Sequence, residues 1–146
     1  MKKNLFLIAI VLALAAVYLV FFTDWFKPQT IRISHTTRSF GGNRGGSSAP
    51  LMFGLDQEYS LTEIKVVALK EWQTDKNAQP LWHLVSDGSD DINHFSYGEN
   101  INGMDSAVGG SQAKPLEPGV TYRIFVTAGK ASGWHDFTPG TVATKQ

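Results

Sequence analysis

The chain has 146 residues, 13 basic and 13 acidic, for a formal net charge of zero, and it contains no cysteine. A neutral chain carries no electrostatic footprint for nucleic acid, and a chain without cysteine has no disulfide framework, no thiol chemistry and no sulfur for lipid attachment. The 118 residues after Pro28 suffice for one compact domain whose stability must come from core packing.

From Leu5 to Phe22 run eighteen consecutive apolar residues, with Lys2 and Lys3 in front and Trp25, Phe26 and Lys27 behind. At about 1.5 Å per helical residue the run spans roughly 27 Å, close to the ~30 Å hydrocarbon core of a bilayer. Thirteen of the eighteen are Leu, Ile, Val or Phe. At roughly −0.3 to −0.6 kcal/mol each, they favour insertion by on the order of 4 to 8 kcal/mol. The segment is therefore read as a transmembrane helix between Leu5 and Phe22, with Trp25 and Phe26 as interfacial anchors and the lipid bilayer as partner. The two lysines and the initiating amine favour a cytoplasmic N-terminus. That orientation implies a single-pass inner (cytoplasmic) membrane protein with residues 28–146 on the periplasmic or extracellular side. The competing reading is a cleaved signal peptide. Its best small-x-small site, Ala13-Leu14-Ala15, would leave Ala16 to Phe22 as an apolar new terminus, and none follows Phe22, so an uncleaved anchor over residues 1–27 is expected.

Beyond the anchor, fourteen glycines and six prolines among β-branched and aromatic runs point to an all-β domain. Thr30 to His35 alternates apolar and polar residues, as a half-buried strand does. Arg38 to Pro50 holds four glycines and three serines and reads as a flexible loop, without the Gly-Lys-Ser/Thr ending of a phosphate cradle. Leu51 to Leu55 is a short apolar run, and Ser60 to Leu69 is the strongest strand, with Ile64, Val66 and Ala68 on one face. Leu81 to Ser86 is the next strand, Asp87 to Asp91 an acidic turn, and His94 to Tyr97 a short extended piece. Residues 99–118 look like loop, Tyr122 to Thr127 alternates again, and Trp134 to Phe137 suits a final edge strand. No helical periodicity occurs outside the anchor. Some seven short strands match the count of a β-sandwich.

The segment Leu116-Glu117-Pro118-Gly119-Val120-Thr121-Tyr122-Arg123-Ile124-Phe125-Val126 is the most specific in the chain. Pro118-Gly119 turns the chain, Leu116 plugs the core beneath the turn, and Tyr122 opens the next strand with its hydroxyl placed to bond upstream backbone. That arrangement is a tyrosine corner. Over these eleven residues the chain resembles the fibronectin type III and broader immunoglobulin-like superfamily, whose corner commonly reads Leu-x-Pro-Gly-x-x-Tyr-x-Ile/Val-x-Val. The resemblance implies an immunoglobulin-like (fibronectin type III-like) β-sandwich behind the transmembrane helix, with a tryptophan packed between its sheets. Trp82 and Trp72 are both candidates. The stretch from Tyr97 to Leu116 departs from the pattern and leaves the strand order across it open.

No motif carries chemistry. His35, His83, His94 and His135 form no His-x-His or His-x-x-x-His pair, so any metal site would depend on the fold. Asp87, Asp90, Asp91 and Asn93 gather oxygens without the order of a Ca²⁺ loop, and a solvated acidic turn is the simpler reading. No serine sits in Gly-x-Ser-x-Gly context, and nothing pairs Glu58, Glu63, Asp105 or Asp136 as acid and base. A non-enzymatic protein without cofactor or metal is expected.

The aromatic residues are the remaining resource. Trp72, Trp82, Phe95, Tyr97, Trp134 and Phe137 offer a platform for sugar rings or partner side chains, while Phe53, Trp82, Tyr122 and Phe125 are more simply core. Trp134 and His135 are the expected exposed pair, joined by Phe40 as candidate contact residues, with loops 38–50 and 99–115 as the contact surfaces. The function expected is protein–protein contact by a tethered sandwich, as an accessory or stabilising subunit of a larger membrane complex. The alternative is a membrane-tethered carbohydrate or small-ligand binding module.

Overall fold

The computed structural model describes residues 2–22, 27–37 and 50–140. Trp25, Phe26 and Phe40, named above as anchors and contact residue, lie outside the described residues, as does nearly all of loop 38–50. Helix α1, Lys2–Phe22, has 21 residues, about 31 Å at helical rise, and none of them is buried. Its mean hydropathy of 3.0 and its length are sufficient to cross a bilayer. A helix apolar over almost its whole length, with no residue buried among the described residues, is matched to lipid rather than water.

The remainder is mostly antiparallel β-structure in two sheets. Strands β1 (Ile33–Thr37), β2 (Leu51–Ser60) and β5 (Asp91–Ser96) form one, in the order β1-β2-β5. The other has the order β6-β4-β3-β7-β8, built from β3 (Glu63–Ala68), β4 (Trp82–Val85), β6 (Asp105–Ser106), β7 (Tyr122–Ala128) and β8 (Ala131–Phe137). Alternation decides what each sheet buries. On β7, Tyr122, Ile124 and Val126 are buried while Arg123, Phe125 and Thr127 face the other way; on β3, Ile64 and Val66 are fully buried on the matching side.

Aromatic rings join the two sheets. Phe53 on β2 meets Phe95 on β5 at 5.5 Å and, across the core, Phe137 on β8 edge-on at 5.0 Å. Trp82 on β4 reaches Phe95 at 6.1 Å and Tyr97 at 5.3 Å. Each such pair contributes roughly 0.5–1.5 kcal/mol beyond its buried area. Trp82, 4% exposed, is therefore the tryptophan between the sheets; Trp72 lies outside the core on helix α2 (Leu69–Thr74).

Three elements differ from the sequence expectation. The run Ser60 to Leu69 is not one strand: β2 ends at Ser60 in one sheet and β3 begins at Glu63 in the other. The crossing is set by Leu61, fully buried, whose N–H donates to Ser89 Oγ at 2.8 Å, and by Thr62, whose N–H donates to the Thr127 carbonyl at 2.8 Å. Second, residues 69–74 are helical. Six residues are too few for a 3.6-residue period to register, and packing on β3 and β7 decides the conformation. Third, the stretch 99–118 read as loop carries the two-residue strand β6 and is tied to the second sheet. Ile101 and Met104 are buried, the Lys114 and Ala107 N–H groups donate to the carbonyls of Leu81 and His83, and the Tyr97 hydroxyl donates to the Lys114 carbonyl at 2.7 Å. Burial, with Tyr122 nearby, raises the Tyr97 phenol well above its ordinary pKa, so that donor keeps its proton.

At the far end of the second sheet, Glu117 to Val120 turns through Gly119, whose φ of +79° lies in the left-handed region that favours glycine. Leu116 packs half-buried against the core below, and the Tyr122 hydroxyl accepts a hydrogen bond from the Glu117 N–H at 2.9 Å. At the opposite end the chain coming from the anchor joins the domain. The Ile31 N–H donates to the Ser132 carbonyl at 2.9 Å and the Ser132 N–H to the Gln29 carbonyl at 3.0 Å, a parallel bridge to β8. Two residues later the chain pairs instead with β2, so this entry segment spans the seam between the sheets.

Candidate functional site

The side chains that turn away from the core on β7 and β8 assemble a polar-aromatic face. Because Phe125 pairs with Trp134 and Arg123 with Asp136 in the β7–β8 register, all four lie on one side of the sheet. Arg123 grips Asp136 through two hydrogen bonds, Nε to Oδ1 at 2.6 Å and Nη2 to Oδ2 at 2.8 Å. The hydrogen bond to Asp136 raises the Arg123 pKa, and the same bond holds the Asp136 carboxyl below its usual value, so both remain charged at neutral pH.

The Arg123 guanidinium also lies 4.0 Å from the centre of the Trp134 ring and 4.8 Å from that of Trp72. Trp72 receives Lys76 Nζ at 3.3 Å and meets Phe125 at 5.5 Å. Helix α2 thus carries Trp72 into a row of alternating cations and rings, Lys76, Trp72, Arg123 and Trp134. Each cation–ring contact contributes about 0.5–1 kcal/mol where solvent has access. Asp136 holds the guanidinium, and the guanidinium lies against both indoles.

Trp134 stays 58% exposed despite that support. An indole supported on one side and open to solvent on the other has less side-chain entropy to lose on burial than an unsupported one. Beside it runs an open groove of about 600 Å³, floored by Phe125, Thr127 and Trp134 and walled by the entry segment Thr30 to Ile33.

His135 does not share this face. Successive strand residues point to opposite sides, so His135 turns toward the seam, where its Nε2 lies 2.7 Å from Nδ1 of His35 on β1. Burial, and then His35 beside it, lower the His135 pKa, against a smaller opposite pull from Asp136. The expected pair of exposed residues is therefore divided between two surfaces. His83 has a different partner, its Nε2 donating to Glu63 Oε1 at 2.8 Å, and His94 Nδ1 donates to Asn93 Oδ1 at 2.6 Å.

Phe125, placed in the core by the sequence reading, is instead part of the outer face. Its place between Ile124 and Val126 on an alternating strand is the signal that distinguishes them. Trp72 is among the aromatics the sequence offers as a platform, but its pairing with Arg123, and that of Arg123 with Asp136, left no signal, because these partners stand about 50 and 13 residues apart in the chain. In the acidic turn, Asp90 accepts from Asn102 Nδ2 at 2.6 Å. Among the described residues, no three His, Asp or Glu side chains converge as metal ligands.

No protein-family model, curated protein or solved structure matches this chain.

Proposed function

We propose that this is a bitopic membrane protein whose fibronectin type III-like sandwich, held outside the cytoplasm by α1, binds a protein partner at the membrane surface as an accessory or stabilising subunit. One observation carries the reading: Trp134 is exposed yet backed by the Arg123 guanidinium, itself paired with Asp136, on a domain that follows a membrane-competent helix. Tethering raises the effective concentration of the domain toward partners in the same membrane, so a small contact centred on one aromatic anchor suffices. Lys2 and Lys3 support a cytoplasmic N-terminus, with the domain periplasmic or extracellular. The fold assignment is supported by the strand order. If β1, β2 and β5 are taken as strands A, B and E, and β3, β7 and β8 as C, F and G, the two sheets follow the immunoglobulin-like division, and the Tyr122–Glu117 bond is its tyrosine corner.

The test is a photo-crosslinkable residue at position 134 in the native membrane, followed by purification in mild detergent. A discrete cross-linked species that disappears when the probe is moved to the inward position Ile124 supports the reading. Unattached monomer under every condition refutes it. The groove beside Trp134, lined by Thr30, Arg32, Thr127 and Ser132, favours a second reading, a carbohydrate or small-ligand module. Quenching of Trp134 fluorescence by soluble glycans, with no protein cross-link, would select it.

A further inference from the structure

The geometry points to a two-histidine binding site for a divalent transition metal ion, of the Zn²⁺, Ni²⁺ and Cu²⁺ group, formed by His35 Nδ1 and His135 Nε2 across the seam between the sheets. The two residues stand 100 positions apart and sit on edge strands of different sheets, yet two ring nitrogens aim at each other at 2.7 Å. Both belong to inward-facing positions, His35 opposite Phe53 and His135 opposite Ile124, but at the open rim of the sandwich rather than in its core. His35 is exposed and His135 half-buried, so the rim admits an ion together with its waters. Phe137, 6.0 Å from the His35 ring, supplies an apolar wall behind the pair.

Imidazole is the ligand these metals share, and two of them with water in the remaining positions form a labile site rather than a closed structural one. At a metal–nitrogen distance of about 2.0–2.1 Å, tetrahedral coordination needs the two nitrogens about 3.3 Å apart. The observed pair is closer by a little over half an ångström, a difference that rotation of the exposed His35 ring supplies. In the metal-free pair one ring donates its N–H to the other. On binding, each ring turns its lone pair to the metal and carries its proton on the distal nitrogen, so at neutral pH no proton need leave the protein. The carboxylate nearest in sequence, Asp136, is engaged by Arg123 on the opposite face and is no ligand. His83 and His94, each held by a neighbour of its own, lack a second imidazole and serve as internal controls. A bound ion would fasten β1 to β8 three residues along β8 from Ser132, where the entry segment from the anchor joins the domain.

The experiment uses the full chain without a histidine tag, in mild detergent at pH 7.5, titrated separately with Zn²⁺, Ni²⁺ and Cu²⁺ by calorimetry and followed by thermal unfolding. One ion per chain is expected, with a dissociation constant in the micromolar range. Tm should rise by about 10 °C when free metal exceeds that constant about a hundredfold. Affinity should fall at least tenfold in His35→Asn and in His135→Asn and be unchanged in His83→Asn and His94→Asn. The Cu²⁺ electron paramagnetic resonance spectrum of the unaltered chain should show two imidazole nitrogens. That spectrum decides the matter if the half-buried His135→Asn variant does not fold. No binding at 1 mM of any of the three ions overturns the proposal. So does a copper spectrum with one imidazole nitrogen or none, or binding retained in both seam variants, which would mean an adventitious ion only.

Discussion

Gly133 stands on β8 directly beside the entry segment, and its replacement by alanine is the sharpest probe of the seam. A Cβ built there would lie 3.0 Å from the Ile31 carbonyl carbon and 3.1 Å from Ile31 Cβ, and would overlap the Ile31 carbonyl oxygen outright. Backbone atoms cannot rotate away as a side chain does, so the entry segment must move. Its displacement breaks the Ile31–Ser132 and Ser132–Gln29 hydrogen bonds, about 1 kcal/mol each, and exposes Ile31, now 2% accessible, at about 1.5–3 kcal/mol. Relief of glycine's conformational entropy in a strand offsets about 0.5–1 kcal/mol. The net loss is about 3 kcal/mol, a large part of the roughly 5–15 kcal/mol that stabilises an ordinary domain. Urea unfolding of the full chain in micelles, read by tryptophan fluorescence, should show a midpoint lower by about 1–3 M. Amide exchange at Ile31 and Ser132 should accelerate before the rest of the sheet. If Gly133→Ala unfolds within about 0.5 kcal/mol of the parent, or if both amides keep their protection, the close approach of entry segment and β8 is wrong.

Further outcomes follow from the same geometry. Phe53→Ala should cost about 3–5 kcal/mol in urea unfolding, since Phe53 is 1% exposed and joins Phe95 to Phe137 across the core. Tyr122→Phe should cost about 1 kcal/mol and speed amide exchange at Glu117, whose N–H loses its acceptor at a half-exposed position. In the presence of a chelator, stability should fall in two stages on acidification. The lowered His135 pKa means that the unfolded chain takes up its proton first, so this contribution is intact above pH ~6.5 and declines as pH drops below it. The lowered Asp136 pKa adds a contribution intact above pH ~4 that is lost in more acid solution. Equilibrium unfolding between pH 8 and pH 3 should register both stages, with His135→Asn removing the first and Asp136→Asn the second; a profile unchanged by either variant would refute the assignment.

Much of the framework is legible from local pattern. The apolar run at the front needs only its own composition to be recognised as a helix suited to lipid, because hydrocarbon solubility is a sum over neighbouring residues. The alternation in Tyr122 to Thr127 and the Pro118-Gly119 turn announce a strand and the bend that feeds it, since both follow from backbone geometry over a few residues. The break of Ser60 to Leu69 into two strands of different sheets is not legible, because both halves carry strand-forming residues and only the depth of Leu61 marks the crossing. The candidate site is less legible still. Phe125 could be assigned by parity, whereas Trp72 reaches the outer face through a helix too short to leave a period.

What the amino-acid order determined unaided is therefore whatever depends on near neighbours: an apolar front segment, a cysteine-free β-rich remainder, and the corner at Tyr122. The tertiary structure alone decided which distant residues meet. It set Arg123 between Trp72 and Trp134, brought His35 against His135, and required a glycine at position 133 where β8 passes the entry segment. The division has a physical cause. Propensity and hydrophobic period act over a few residues, while contacts between residues 50 or 100 positions apart exist only after two sheets have closed on a shared core.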